Sequence, residues 1–428
     1  MERLEQFIAS LLVLLRNQMR KTRRAESLPI EIASSKSRSP YVVISFLGLM
    51  IIGIAATVMG PAFPFIMKEF AIPLGMLGFL ASAWNIGYLF TPVGGIISDR
   101  YGEPVMLAAS FLAIGTAAGL ASRAPNYLTL LGLFLVAGTG SAFGEVAMNS
   151  LVTKAYPKKS GFALNTLHVF FSTGAFIGPA LAGLVIASYG SWRLPYAITC
   201  IVFLPLAVGA IVLFHRTRSD KSTLISSAER SHASEAKIIE PLMQGRAFLL
   251  AGFFYFGAEL GANAWLPTFL MTERQFPVEL ASLSIGLFWA SMAVGRLGLG
   301  SLADRMGYRR LIVTCASLSA LSILTATLIE DRYFIIALWC LSGFAFGPIM
   351  PTIFAWAAAL FPSRRGIATG TIYSVGFLGA VFSPWFLGIV GDLYNLSISA
   401  LYLPFSALMV ALSALMLRNL AHRSPNQG

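Results

Sequence analysis

Apolar residues in this chain gather into blocks separated by short breaks that carry charge, proline or glycine. Each block is about 20 residues long, the length at which a helix crosses a hydrocarbon core about 30 Å thick. Twelve such windows are legible, at residues 41–67, 75–98, 104–122, 127–153, 161–189, 193–214, 247–272, 280–303, 309–329, 333–356, 366–390 and 397–417. The 39 glycines and 21 prolines would interrupt helices in water, but in a membrane glycine permits close helix contact and proline is tolerated. The pattern predicts an all-α integral membrane protein with 12 transmembrane helices.

Composition points the same way. Hydrophobic residues make up 56% of the 428 positions and charged residues 12%, with a mean hydropathy of +0.73, whereas a soluble domain carries roughly 25% charged residues. Charge also orients the chain. Twenty-five of the 31 Lys and Arg residues lie in the two terminal segments and the breaks after even-numbered windows. The opposite breaks hold Lys68, Arg123, Arg193, Arg274 and Arg332, and Arg296 stands inside a window. The positive-inside rule then puts both termini in the cytoplasm, at a plasma or inner membrane. The net charge of +12 is this asymmetry, and no nucleic-acid partner is read from it. Cys200, Cys315 and Cys340 lie within windows without paired spacing, so neither a disulfide nor a metal site is expected.

Five segments follow. Residues 1–40 form an N-terminal arm, in which "FIASLLVLLRNQMRKTRR" is too short to span and suits a helix lying on the inner membrane surface, its basic end drawn to anionic lipid. Residues 41–214 and 247–418 are two six-helix units, 215–246 is a polar cytoplasmic linker, and 419–428 is a cytoplasmic tail.

The two units repeat each other at one offset. "GGIISDRYGEP" closes the second window and "LGSLADRMGYRR" the eighth, so Gly95, Asp99, Arg100 and Gly102 recur 205 residues later as Gly300, Asp304, Arg305 and Gly307. "YPKKSG" and "FPSRRG" are separated by the same 205, as are Gly174, Pro179 and Gly183 from Gly379, Pro384 and Gly388. A duplicated six-helix unit accounts for all three.

On these residues the chain resembles the major facilitator superfamily, whose signature is a Gly-x-x-x-Asp-Arg-x-Gly stretch after helix 2, often repeated after helix 8. The resemblance implies two six-helix bundles related by pseudo-twofold symmetry, with helices 1, 4, 7 and 10 central and 3, 6, 9 and 12 outside. It also implies that the motif is a cytoplasmic latch favouring the outward-facing state, with Arg309 supplying the basic residue of the second copy and Glu103 standing where the first copy usually has one. A carboxylate at a helix end can accept hydrogen bonds from a neighbouring helix N-terminus and pair with a cation. The plain alternative is that the arginines only fix topology.

Polar residues that break the repeat are the candidates for function. Glu145 maps to Met350, Asn149 to Phe354, Asn165 to Gly370 and His168 to Tyr373, while Glu259 and Asn263 have no acidic counterpart in window 1. Asn85 adds an amide in window 2, and windows 3, 6, 9 and 12 have no amide or charged side chain in their interiors and read as lipid-facing. Helical spacing gathers Glu145 with Asn149, Tyr255 with Glu259 and Asn263, and Asn165 with His168 and Ser172 on single faces. A carboxylate at such depth is costly unless paired, hydrated or protonated. Glu145 is therefore a candidate proton- or substrate-binding group, with Glu259 second. Arg296, two turns before Asp304, reads as a structural pairing residue.

Within the superfamily, "GEVAMNSLVT", "LNTLHVFFSTGAFIGP" and "FGAELGANAW" resemble the fucose–proton symporter branch and its sugar-transporting relatives. That implies a helix 4 site of Glu145 and Asn149 and a helix 7 face with Glu259 and Trp265. The branch has an acid in helix 1, and here "VMGPAFP" offers Gly60. The expectation is a secondary transporter, not an enzyme and without cofactor. It would act as a monomer in lipid on a small-molecule substrate, coupled to an ion, by preference H+. The amides, Trp265 and Trp289 favour a sugar or related polar metabolite; a proton-coupled exporter of drugs or metabolites is the alternative, because "GAFIGPALAG" approximates an antiporter stretch.

Overall fold

A computed structural model describes residues 35–219, 245–299, 305–362 and 364–417. The expected interfacial helix in residues 1–34, most of the linker, and the C-terminal tail lie outside the described residues, as do Gly300 and Asp304. Among the described residues, eleven helices are long and apolar enough to cross a membrane: Pro40–Phe70, Glu103–Ala121, Tyr127–Ala155, Phe162–Tyr189, Arg193–Phe214, Arg246–Glu273, Val278–Leu299, Tyr308–Leu328, Arg332–Leu360, Arg365–Leu393 and Leu396–Met416. One more crossing is built from Leu74–Leu89 and Thr91–Tyr101, bent by 44° at Phe90. Numbered in chain order as spans 1 to 12, they coincide with the twelve windows. The chain is an all-helical integral membrane protein.

Local chemistry sets the helix ends. Asn126 and Asp331, 205 residues apart, cap spans 4 and 10 by accepting from Thr129 N at 2.9 Å and Phe334 N at 2.8 Å, which satisfies backbone donors that a helix start leaves free. Gly102 and Gly307 open spans 3 and 9 at φ +86° and +81° with ψ near 150°, a backbone region closed to residues with a Cβ. The motif's last glycine in each copy is thus required by the chain reversal itself.

Packing repeats as the sequence does. Span 1 lies against span 5 as span 7 lies against span 11; the pairs 2–4 and 3–6 recur as 8–10 and 9–12. Two six-helix bundles result, meeting mainly along spans 2 and 11, 5 and 8, and 1 and 7. Spans 3, 6, 9 and 12 pack within their own bundle, but only span 6 is mostly uncovered, with 22% of its apolar window buried, against 61%, 50% and 56% for the others. Their neighbours in the bundle wrap them, so the expectation of four lipid-facing helices holds in position and fits only span 6 in burial.

Both bundles are stitched at the end opposite the termini, here the far end. Glu69 accepts from Trp192 Nε1 at 2.7 Å and from Arg193, whose guanidinium also donates to the carbonyls of Ser122 and Ala124. In the second bundle Arg274 donates to the Thr327 carbonyl and Arg332 to that of Gln275. Three of the five basic residues that depart from the charge asymmetry are therefore occupied in joining loops.

Candidate functional site

The bundles close on each other from the far end inward. Asp392, at the end of span 11, takes hydrogen bonds from Leu74 N (2.8 Å) and Gly75 N (2.7 Å) at the start of span 2. Deeper along the same pair, Ser82 donates to the Val381 carbonyl at 2.6 Å and Asn85 to that of Ala380 at 2.8 Å. Tyr88 then stacks flat on Phe377, with centroids 4.4 Å apart and planes 5° apart. On the other edge Gly183 meets the Ser282 side chain and Gly286 the Phe176 carbonyl. Toward the termini the contact ends. Asn165 is exposed, Phe162 is 74% exposed, and the symmetry-related Gly370 has no neighbour within 4 Å of where a Cβ would stand. A crevice thus opens between the bundles at the terminal end and is sealed at the far end.

Glu145 lies at its floor. The carboxylate is deep in the molecule yet keeps part of its surface accessible. Tyr373, from the opposite bundle, donates to Glu145 Oε1 at 2.9 Å, and the Tyr88 phenol is also within hydrogen-bonding range. Tyr373, Phe377 and Phe256 surround this contact with ring centroids 4.9 to 5.6 Å apart. Glu145 and Tyr373 thus join spans 4 and 11 across the two bundles.

A second charged group stands on the other wall. Arg296 of span 8 lies 3.4 Å from Glu259 Oε1 of span 7, and Tyr255 donates to the same oxygen at 3.4 Å. The guanidinium also reaches Ser172 Oγ of span 5 at 3.4 Å and Met292 Sδ at 3.2 Å, while its Nε has no hydrogen-bond partner. His168, one turn before Ser172, is close enough to feel the Arg296 charge. Among the described residues the acidic partner of Arg296 is Glu259; Asp304, the partner expected from the sequence, lies outside them.

The remaining candidates divide. Asn149 has a buried Oδ1 without a partner, and Asn165 faces open space. Asn85, by contrast, ties spans 2 and 11 together. Asn263 donates to the Ala56 carbonyl at 3.2 Å and accepts from Trp289 Nε1 at 3.0 Å, and Trp265 donates to the Pro384 carbonyl at 2.9 Å. These side chains have their polar atoms in inter-span hydrogen bonds. Gly60 packs against span 7, where a Cβ would stand 2.7 Å from the Asn263 carbonyl, so the helix 1 acid of the fucose–proton branch has no room here.

The motif residues lie at the open end. Asp99, Arg100 and Arg305 are exposed, and no ion pair among the described residues joins them to the other bundle. Gly95 has open space around it, and Arg309 keeps a buried Nε without a partner. Glu103 forms its own network instead, accepting from Lys154 and Ser150 at 2.8 Å each.

Three residues escaped the sequence reading: Tyr373, Arg296 as a site residue, and Asp392. The repeat held a signal for each, since their partners at the 205 offset are His168, Thr91 and Ala187.

Two matching six-helix bundles with charged side chains between them fit the architecture of a membrane transporter. Residues 45–313 and 270–428 match the family model of the Major Facilitator Superfamily, and the chain belongs to that family of transporters. It is 26% identical over 366 residues to a cis,cis-muconate transport protein of Acinetobacter baylyi, covering 82% of this chain and 87% of that one. A probable nitrate/nitrite antiporter of Thermus thermophilus is 27% identical over 357 residues, covering 74% and 77%. Multidrug resistance protein 2 of Bacillus subtilis is 23% identical over 360 residues, covering 82% and 87%. Among solved structures, a bacterial homologue of the human lysosomal transporter Spinster superposes with a TM-score of 0.71 at 16% identity, covering 90% of this chain and 96% of that one.

Proposed function

We propose that this chain is a proton-coupled secondary transporter of a small polar metabolite in the inner membrane, with both termini cytoplasmic. The described conformation is then the inward-facing one. One observation carries the reading: Glu145 sits where the bundle contact ends and the crevice begins, bound to Tyr373 of the opposite bundle. A carboxylate there is exposed to water from one side, and its protonation state alters an inter-bundle contact. That is the requirement for coupling a proton to a change of access.

The solute is harder to choose from relatives, whose names range over muconate, nitrate/nitrite and multidrug resistance. Within the crevice, the sugar expectation loses Asn85, Asn263 and Trp265 to inter-span hydrogen bonds and retains Asn149 and Asn165. A lipophilic cation is disfavoured by Arg296 in the wall.

The test is uptake and counterflow in proteoliposomes under an imposed pH gradient, using a solute selected for raising the melting temperature of the purified protein. Glu145→Gln mimics the protonated acid, so exchange should persist while accumulation against the gradient is lost. Wild-type accumulation by the variant sinks the proton role.

A further inference from the structure

The guanidinium of Arg296 is the least well paired charged group in the crevice. Its nearest strong acceptor, Glu259 Oε1, is 3.4 Å away, beyond the roughly 2.7–2.9 Å of a charge-assisted hydrogen bond. Its other contacts are a serine hydroxyl at 3.4 Å and a thioether at 3.2 Å, both weak acceptors, and Nε has none. A cation taken out of water is costly unless it is well paired, and arginine within a membrane span marks a substrate or ion path more often than a scaffold. Here the pairing is incomplete, and the guanidinium side chain keeps 18% of its surface accessible on the crevice wall.

The shape of the gap is informative. Nε is buried, so the edge left for a ligand is the pair of terminal nitrogens, which also form a planar fork that a carboxylate engages with two parallel bonds. From span 5, in the other bundle, Ser172 is fully buried and donates its hydroxyl to the His168 carbonyl at 3.2 Å, so it only backs Arg296, while the partly exposed His168 ring has no hydrogen bond among the described residues. A ligand on this fork bridges spans 5, 7 and 8 and therefore both bundles. Its charge is also bounded: a single carboxylate neutralises Arg296, and the displaced Glu259, buried and without another cation, must take up a proton for the site to stay neutral.

We propose that Arg296 anchors the carboxylate of the transported solute, a small organic anion, and that Glu259 is the internal counter-ion the solute displaces. This deepens the reading of the crevice as a solute path and rests on it. His168 completes the anion site from the opposite bundle, so that the loaded site draws the bundles together over the crevice.

The test is binding to the purified full-length protein in detergent, followed by thermal unfolding. The probes are benzoate, adipate and glucuronate, each against an uncharged twin (benzamide, adipamide, glucose), with tetraphenylphosphonium as a lipophilic cation. At least one carboxylate should raise the melting temperature where its twin does not. Glu259→Gln, which removes the competitor, should tighten that binding about tenfold, and Arg296→Lys should weaken it by losing the fork. Because Arg296→Gln alone leaves Glu259 uncompensated, the double variant Arg296→Gln/Glu259→Gln removes both charges and should bind no carboxylate. Stabilisation by the uncharged twins or the cation alone overturns the inference. So does an unresponsive panel, or equal protection of the double variant. The transport reading fails separately: a carboxylate that binds through Arg296 but does not cross proteoliposomes leaves the anion site standing and removes the transporter assignment of this path.

Discussion

The Tyr373 phenol donates a 2.9 Å hydrogen bond to the Glu145 carboxylate from the opposite bundle. Every inter-bundle contact along spans 2 and 11 on the far-end side of it is packed shut, and beyond it the helices part. This donor–acceptor pair joins the bundles on the span 4 and 11 side, as Arg296 and Ser172 do on the span 5 and 8 side. Tyr373→Phe keeps the ring packing on Phe377 and Phe256 and deletes only this bond. A hydrogen bond to a charged group contributes about 1.5–3 kcal/mol, so the substitution should slow proton-driven uptake in the wild type. In counterflow exchange, which Glu145→Gln retains, the same change should alter the rate far less in the Glu145→Gln background than in the wild type, and the coupling is read from a double-mutant cycle on that rate. Fully additive effects would show that the two residues act independently.

Asp392 holds the far end closed. Its carboxylate accepts from two backbone donors at the start of span 2, where the helix dipole also favours negative charge. Asp392→Asn should weaken this clamp by about 1.5–3 kcal/mol, enough to shift a two-state population roughly tenfold or more toward opening at the far end. The measurement is labelling of Ser282→Cys, fully buried between spans 5 and 8, by an impermeant maleimide, with Cys200, Cys315 and Cys340 replaced. Unchanged labelling counts against the clamp.

Asp99 should act in the opposite direction. It is exposed with the terminal end open, so Asp99→Asn leaves this conformation's contacts intact and removes interactions only from the state in which that end is shut. The variant should therefore lower Ser282→Cys labelling from the far face. An increase would contradict the latch role of the motif.

The glycines of one motif should differ in their sensitivity. Gly307→Ala meets no neighbour within 4 Å but must hold φ +81°, at a cost of about 1–3 kcal/mol, and should lower the melting temperature. Gly95→Ala, within a helix and also without neighbours, should raise stability by about 0.5–1 kcal/mol in this conformation. Equal effects of the two substitutions would mean that the positive φ is not what requires glycine at 307.

Sequence alone determined the class of fold. A block of about 20 apolar residues has one way to satisfy its backbone in lipid, and the 205-residue repeat turns twelve such blocks into two alike bundles. The same repeat exposed Glu145, because a carboxylate opposite Met350 serves no shared scaffold. Pairing was different, because it depends on which helix faces meet, and in lipid that is decided by close packing. Asn85, Asn263 and Trp265 carry the chemistry of a sugar site, yet the carbonyls of Ala380, Ala56 and Pro384 lie within reach of them. Arg296 meets Glu259 of span 7, 37 residues before it in the chain. Only the tertiary arrangement decided which polar groups are consumed in joining spans and which remain open to a solute, since a side chain's hydrogen-bonding capacity is local while its partner is set by helices hundreds of residues apart.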